Sequence, residues 1–560
     1  MSESVNLAQA FSQILRALIT RSRSQFAGLI VFSSVLLADS IFRIYLFPLY
    51  NNFLQKIGAK PVWTDLDVVF SPIVWLSFFA IILGSLTIVI TFASQNVPKL
   101  IDIYMDHWPS LFFVWWGAAC LIHSFTIKVL SEVGVEIVSS IIFNYHVLLA
   151  VSLVIGFPFI FSILKSTKTS NVIENLLNVS FARLKKIAKK GTHGKISQLE
   201  HSTIQYHLFE ELNQLMDLLV FVQYKEPKAQ ILEGIGELLR YYVKLKPRFP
   251  DKFFKIDQKI HDDISFRTLK NLLAEVEKSH TFYEQKIFRL IGNVYNIFLE
   301  KGEFDLSTLC VEQLSQVGKT AIEYDDHELI EIIIVRFNTY LRFALKHGQH
   351  NNEPRNLYNL VFHYGQFLNH LVENNQVDRV KKCLDHFVFY GQQCFNGIPR
   401  ARSLVFILDI LASEMQKIMQ IIFQNNWERE MQKELLQKFL LFDNFQDIDK
   451  KVAIQFISQN HGIRLLHIGL ALFYLDRNEE EFAVIIAKDS LQDILLLGKP
   501  QFFKTMDTIF ARLQFSGEKF WEDTDRGNVN IYYTPFQKRI EYFKKLQEEL
   551  IYESQNKITA

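Results

Sequence analysis

The chain has little of what punctuates or staples a small fold. Its 560 residues include 4 cysteines, 22 glycines and 13 prolines. Cys120, Cys310, Cys383 and Cys394 contain no C-x-x-C pair and are too few for a disulfide framework. Scarce Gly and Pro beside 50 phenylalanines exclude a collagen-like, low-complexity or disordered chain. An excess of one charge is missing too: 60 Lys+Arg meet 59 Asp+Glu, a net +1. A dedicated nucleic-acid binder carries a strong basic excess, so no nucleic-acid partner is expected. Clear strand alternation is absent after residue 170.

What is present is apolar: 49% of residues are hydrophobic and the mean hydropathy is +0.10. That value is high for a soluble protein and low for an all-membrane one, and the charges explain it. Between Phe26 and Ser166 only 13 of 141 residues are charged, against 21% overall. A boundary near 166 separates a membrane portion from a water-soluble one. The predicted domains are 1–25, 26–166, 167–195 and 196–560.

Four stretches in 26–166 reach the roughly 20 residues that cross a bilayer core. They are Phe26–Tyr50, Val69–Ala93, Ser110–Leu130 and Ile137–Leu164, the last with a kink expected at Pro158. Lys and Arg crowd the segment before the first span (Arg16, Arg21, Arg23) and the one after the fourth. The positive-inside rule then puts both termini in the cytoplasm, in a multi-pass protein of the cell (inner) membrane. Residues 5–19 place Leu7, Phe11, Ile14, Leu15 and Leu18 on one face, which predicts an interfacial amphipathic helix in domain 1–25. Trp63, Trp108 and Tyr50 fit an aromatic belt.

Ionisable groups inside a membrane are costly and mark function or pairing. Asp39 and Arg43 stand one turn apart on the first span, either neutralising each other or facing a bundle interior. His123, Asn144 and His146 add polar groups to the third and fourth spans, where interhelical hydrogen bonding is their ordinary role.

At the end of the second span the chain reads Phe92-Ala93-Ser94-Gln95-Asn96-Val97-Pro98-Lys99-Leu100. This resembles a family of uncharacterised four-span bacterial membrane proteins with a large soluble C-terminal domain. Ser94, Gln95 and Pro98 match its Ala-Ser-Ser-Gln-x-Ser-Pro-Arg segment, and Lys99 stands for its Arg. Phe92, Ala93 and Val97 depart from it, and the Asn-Asp-Pro signature of that family's soluble portion is absent. The resemblance covers about residues 24–166 and implies the four-span topology.

Beyond 170 the apolar pattern has helical period. Helices are predicted over 171–190, 197–223, 227–245, 264–300, 306–322, 327–347, 354–375, 378–395, 402–424, 428–442, 450–474, 478–495, 500–515 and 535–553. Pairs recurring at around 40 residues suggest an irregular array, with a tetratricopeptide-like look at Leu470–Leu491. The fold class is thus all-α: a four-helix transmembrane domain followed by a cytosolic helical array, tetratricopeptide- or solenoid-like or else compact. In the juxtamembrane helix, Arg183, Lys185, Lys186, Lys189 and Lys190 flank a stripe of Ile173, Leu176, Leu177, Leu184 and Ile187. Such a helix would lie on anionic inner-leaflet lipids.

No motif points to catalysis, and no cofactor or metal is expected. Gly191–Ile196 lacks the spacing of a phosphate loop, Gly234-Ile235-Gly236 sits inside a helix, and Asp523–Gly527 lacks the rest of a calcium loop. His347/His350 and His363/His370 lack a zinc frame. The acidic run Glu323–Glu328 falls where a helix begins and reads as an N-cap. Two functions remain: a homo-oligomeric channel- or transport-like unit gated or assembled by the cytosolic helices, or a membrane-anchored scaffold recruiting cytosolic protein partners.

Overall fold

The computed structural model describes residues 23–58, 70–96, 108–135, 137–166, 168–191, 198–267, 270–443, 454, 456–457, 459–524 and 527–559. The amphipathic segment 5–19, Trp63 and Val97–Leu100 lie outside them. The chain divides into two compact units. Met1–Leu176 with Gln214–Pro227 forms one, and Leu177–Asn213 with Lys228–Ala560 the other.

In the first unit, α1 (Arg23–Ile41) runs through a π-helical turn, Phe42–Leu46, into α2 (Phe47–Lys56). Then come α3 (Phe70–Asn96) and α4 (Trp108–Glu132). A last rod joins α5 (Val138–Ile142), a second π-helical turn at Phe143–Leu148, and α6 (Leu149–Ser166), which contains Pro158. Three described helices, Gln25–Lys56, Phe112–Glu132 and Val138–Gly156, are long and apolar enough to cross a membrane. Within α3 the apolar described stretch, Pro72–Gly84, is shorter.

Several hydroxyls on these helices bond back to their own backbone. Hydroxyls of Ser34, Ser40, Thr87, Thr91, Thr126 and Ser152 donate to the carbonyl four residues back, at 2.6–2.9 Å. Such a bond satisfies a hydroxyl on a helix surface that water does not reach. Large apolar side chains point outward: Leu29 is 67% exposed, Ile81 68% and Val154 74%. Inside, Val31, Val35, Phe42, Trp75, Ala119, Cys120, Ile142 and Phe143 form the core. Backbones approach closely at Gly28, which faces the Trp115 ring.

In the second unit most predicted helices are present with small shifts of ends; of the one expected over 450–474 the structure shows Gly462–Asp476, and 450–453, 455 and 458 lie outside the described residues. The helices include α7 (Thr169–Gly191, whose first turns belong to the first unit), α8 (Gln198–Phe221) and α9 (Lys225–Leu245). The single helix expected over 264–300 is instead short turns at Ile264–Arg267 and Leu273–Lys278 before α10 (Phe282–Lys301). His280 takes a left-handed φ of 54° there, and Phe249, Phe253, Phe254, Phe266 and Phe282 bury around the break.

Antiparallel pairs follow: α11 (Phe304–Glu323) with α12 (His327–Asn351), α13 (Arg355–Glu373) with α14 (Val377–Gly397), and α15 (Leu404–Gln424) with α16 (Arg429–Leu440). The series ends with α17 (Gly462–Asp476) and α18 (Glu480–Leu491), then α19 (Lys499–Phe515) and α20 (Ile540–Thr559). Helices α11, α13, α15 and α17 pack in succession as one row; α10, α12, α14, α16 and α18 form the other. The starts at Phe304, Arg355 and Leu404 correct the expected period of around 40 residues to about 50.

Bonds between neighbouring repeats join matching positions. Arg379 and Lys382 reach back to Glu331 at 2.8 and 2.9 Å, Lys381 reaches Glu434 at 2.8 Å, and Arg429 and Lys433 reach Glu481 at 2.9 and 2.7 Å. Between α19 and α20 lies one antiparallel hairpin, β1 (Lys519–Thr524) with β2 (Gly527–Val529), which the strand-free expectation did not foresee.

Candidate functional site

The polar residues of the apolar helices converge on one chain of hydrogen bonds. Trp75 Nε1 on α3 donates to Asn144 Oδ1 at 2.7 Å. The Asn144 amide nitrogen stands 3.0 Å from His123 Nδ1 on α4. An amide N–H₂ can only donate, so Nδ1 accepts and the ring proton of neutral His123 sits on Nε2. That nitrogen faces Asp39 Oδ2 on α1 at 3.4 Å, and Ser140 Oγ on α5 donates to the same oxygen at 2.7 Å. His123 and Asn144 are 4% and 1% exposed. Asp39 Oδ1 is buried without a protein donor among the described residues.

The two π-helical turns frame this chain. Asn144 lies in the second, Asp39 just precedes the first, and Phe42 and Phe143 pack ring to ring at 5.3 Å between them. Such turns are rare and recur at functional sites because they re-aim side chains. Arg43, one turn on within the first of them, is exposed, and Asp39 pairs with His123 instead; of the two alternatives for Asp39 and Arg43, Asp39 facing the interior of the bundle is the one the packing favours. His146 is exposed as well, while its neighbour Asn144 is the residue turned inward.

Helix α7 carries the basic residues expected at anionic lipids. Its stripe of Ile173, Leu176, Leu177, Leu184 and Ile187 is buried within the protein, with Leu177 against Gly234 of α9. Arg183 Nε bonds Glu211 Oε1 at 2.5 Å, Ser180 Oγ bonds Glu211 Oε2 at 2.6 Å, and Lys186 pairs with Glu200 at 3.6 Å. Burial raises the Glu211 pKa against the pull of Ser180 and Arg183. Lys185 and Lys189 are exposed, and the Lys190 side chain lies outside the described residues.

Elsewhere the sequence reading missed buried ion pairs, because their partners are far apart in the chain. Lys246 Nζ bridges Glu284 and Asp326, both at 2.6 Å. Asp326 is also the N-cap of α12, accepting from Leu329 N at 3.1 Å, as the acidic run predicted. Fully buried Lys286 holds both oxygens of Asp263 at 2.8 Å. Burial pushes Asp263 up, but the Lys286 bonds and charge outweigh it and keep its carboxyl below the usual range. On α15, burial lifts Asp409 to about 6 although Tyr532 Oη donates to it at 2.7 Å. On α17, burial and the Arg464 charge push His467 down to about 3. Among the described residues no three His, Cys, Asp or Glu side chains gather as metal ligands.

No family model matches the chain, and no curated protein matches it. Among solved structures it is similar to a circular tandem repeat protein with novel repeat topology and enhanced subunit contact surfaces. The identity is 12% and the TM-score 0.34, over 85% of this chain and 99% of that one. At that score the likeness says nothing of a shared architecture.

Proposed function

We propose that the chain is a multi-pass membrane protein whose apolar helices, α3 included, anchor a cytosolic repeat array that recruits protein partners at the inner face of the membrane. The observation that carries this reading is the closed bond chain Trp75–Asn144–His123–Asp39–Ser140. Apart from Asp39 Oδ1, the polar groups of this bond chain tie α1, α3, α4 and α5 together, where an aqueous path would need them turned to a lumen. The array supplies the surface: stacked helix pairs of about 50 residues present long faces to partners. Both ends lie in the cytosol.

A second reading, a homo-oligomeric channel- or transport-like unit, draws on exposed Arg43 and His146 within the apolar rods. A second copy would cover them. Purified protein in planar bilayers separates the two: the anchor reading expects no conductance, and reproducible single-channel currents overturn it. Reporter fusions at Gly58 and at Ala560 should report opposite sides; equal signals overturn the topology.

A further inference from the structure

The corner between α8 and α9 carries the wrong chemistry for a water-facing turn. Leu218-Leu219-Val220-Phe221 ends α8, and Val222 and Tyr224 follow before α9 begins at Lys225. Val220 is 53% exposed, Phe221 51% and Tyr224 76%. Helix corners are normally polar, and a contiguous exposed apolar patch marks an interface.

The position of this corner says what it meets. Helices α7 and α8 run antiparallel, with Ser180 and Arg183 on Glu211 and Lys186 on Glu200. Counting from Ser180 opposite Glu211, Val220 falls level with Asn171, and Tyr224 level with the junction between α6 and α7. Asn171 Nδ2 in turn donates to the Lys165 carbonyl at 2.6 Å, which pins the first turn of α7 to the end of α6. Gln214–Pro227 accordingly belongs to the same compact unit as the apolar helices. Exposed Lys165 and Lys168 stand at this level, where anionic headgroups would lie.

We propose that the Val220–Tyr224 corner dips into the headgroup–acyl boundary of the cytosolic leaflet, as a second, non-spanning membrane contact that fixes the α7–α8 hairpin against the bilayer. The proposal rests on the membrane reading above. Phe221 and Val220 supply the apolar tip, and Tyr224 supplies an aromatic ring with a polar end, the residue type that settles at that boundary.

Nitroxide labels at Phe221→Cys and Tyr224→Cys, in the full chain reconstituted in phosphatidylcholine–phosphatidylglycerol vesicles, test it. The four native cysteines are buried and stay unlabelled in the folded protein. Labels at Leu29→Cys and Val154→Cys report the spans, and one at exposed Tyr552→Cys reports water. The expected result is oxygen accessibility several-fold above that of a nickel chelate at 221, as at 29 and 154, with 224 intermediate and 552 reversed. Lipid signatures at 29 and 154 with a water signature at 221 and 224 overturn the proposal alone. Immobilised labels at 221 and 224, shielded from both probes, show a protein contact there and overturn it as well. Water signatures at 29 and 154 overturn the membrane reading itself.

Discussion

Asn144 is the side chain on which the apolar bundle turns, since its amide joins Trp75 on one side to His123 on the other. Asn144→Leu leaves an indole N–H and an imidazole nitrogen buried without a partner, which costs about 1–3 kcal/mol. Unfolding of the purified protein in detergent should show that loss; wild-type stability would mean the bonds are not made. A double-mutant cycle separates the partners of Asp39. Asp39 with His123 should show a coupling of about 0.6–1.7 kcal/mol, the range for polar contacts between membrane helices. Asp39 with Arg43 should show none, because Arg43 points elsewhere. A coupling between Asp39 and Arg43 larger than that to His123 would reverse the assignment.

Two buried titrating residues of the array respond to acid in opposite directions. His467 is held neutral, with its pKa at about 3 against 6.5 unfolded. The unfolded chain therefore binds the extra proton, and the stability tied to His467 is whole above pH 6.5 and lost as pH falls toward 3. Asp409 is raised to about 6 from 3.8, so its contribution is whole below pH 3.8 and is lost as pH rises through 6. Denaturant titrations across pH 4–8 should show His467→Phe flattening the acid loss and Asp409→Asn flattening the loss near neutrality. Unchanged pH profiles in both variants would show that neither site is coupled to folding.

The recurring element is a helix pair closed by one left-handed residue. Asp325, Asn375, Asn426 and Asn478 take φ of 57°, 54°, 53° and 60° at the turns that follow α11, α13, α15 and α17. Asn and Asp tolerate that conformation because their short polar side chains bond locally, and glycine adopts it freely. Asn426→Gly should keep stability within about 0.5 kcal/mol, whereas Asn426→Val should lose about 1–2 kcal/mol. Urea unfolding distinguishes these outcomes, and equal loss for both would refute the turn as the cause. Within the row of α11, α13, α15 and α17, Gly318 on α11 lets the Phe367 ring of α13 lie 2.5 Å from where a Cβ would stand. Gly318→Ala must push that ring aside and should cost about 1–3 kcal/mol by overpacking.

At the scale of the whole molecule the division between the two compact units falls inside α7 and again within α8 and α9. Leu177–Asn213 belongs with the array, where Leu177 packs on Gly234 and Ser180 and Arg183 satisfy buried Glu211. The boundary at 196 that composition suggested would strip these partners away. A fragment of residues 169–560 should be soluble and unfold cooperatively. The fragment 196–560 should unfold at lower denaturant or aggregate, because it exposes the apolar faces of α8 and α9 and leaves Glu211 unpaired. Equal midpoints for the two fragments would place the boundary back at 196.

Helical periodicity and apolar run length fixed most of the elements, since both depend on neighbours within a turn or two of each residue. The helix class, the apolar rods before residue 166 and the Asp326 cap were legible for that reason. The repeat length was not: the helix pattern suggested around 40 residues, and the period of about 50 emerged only when the structure made the turns at Asp325, Asn375, Asn426 and Asn478 equivalent. Partner choice was a different matter. Asp39 lies nearest in sequence to Arg43, yet it meets His123 and Ser140, across 84 and 101 positions of chain. The basic helix has the period of a membrane-surface helix, yet its apolar stripe is consumed by α8 and α9. Periodicity states which face of a helix is apolar; only the packed neighbours decide what covers that face, because burial against protein and burial against lipid remove the same surface from water.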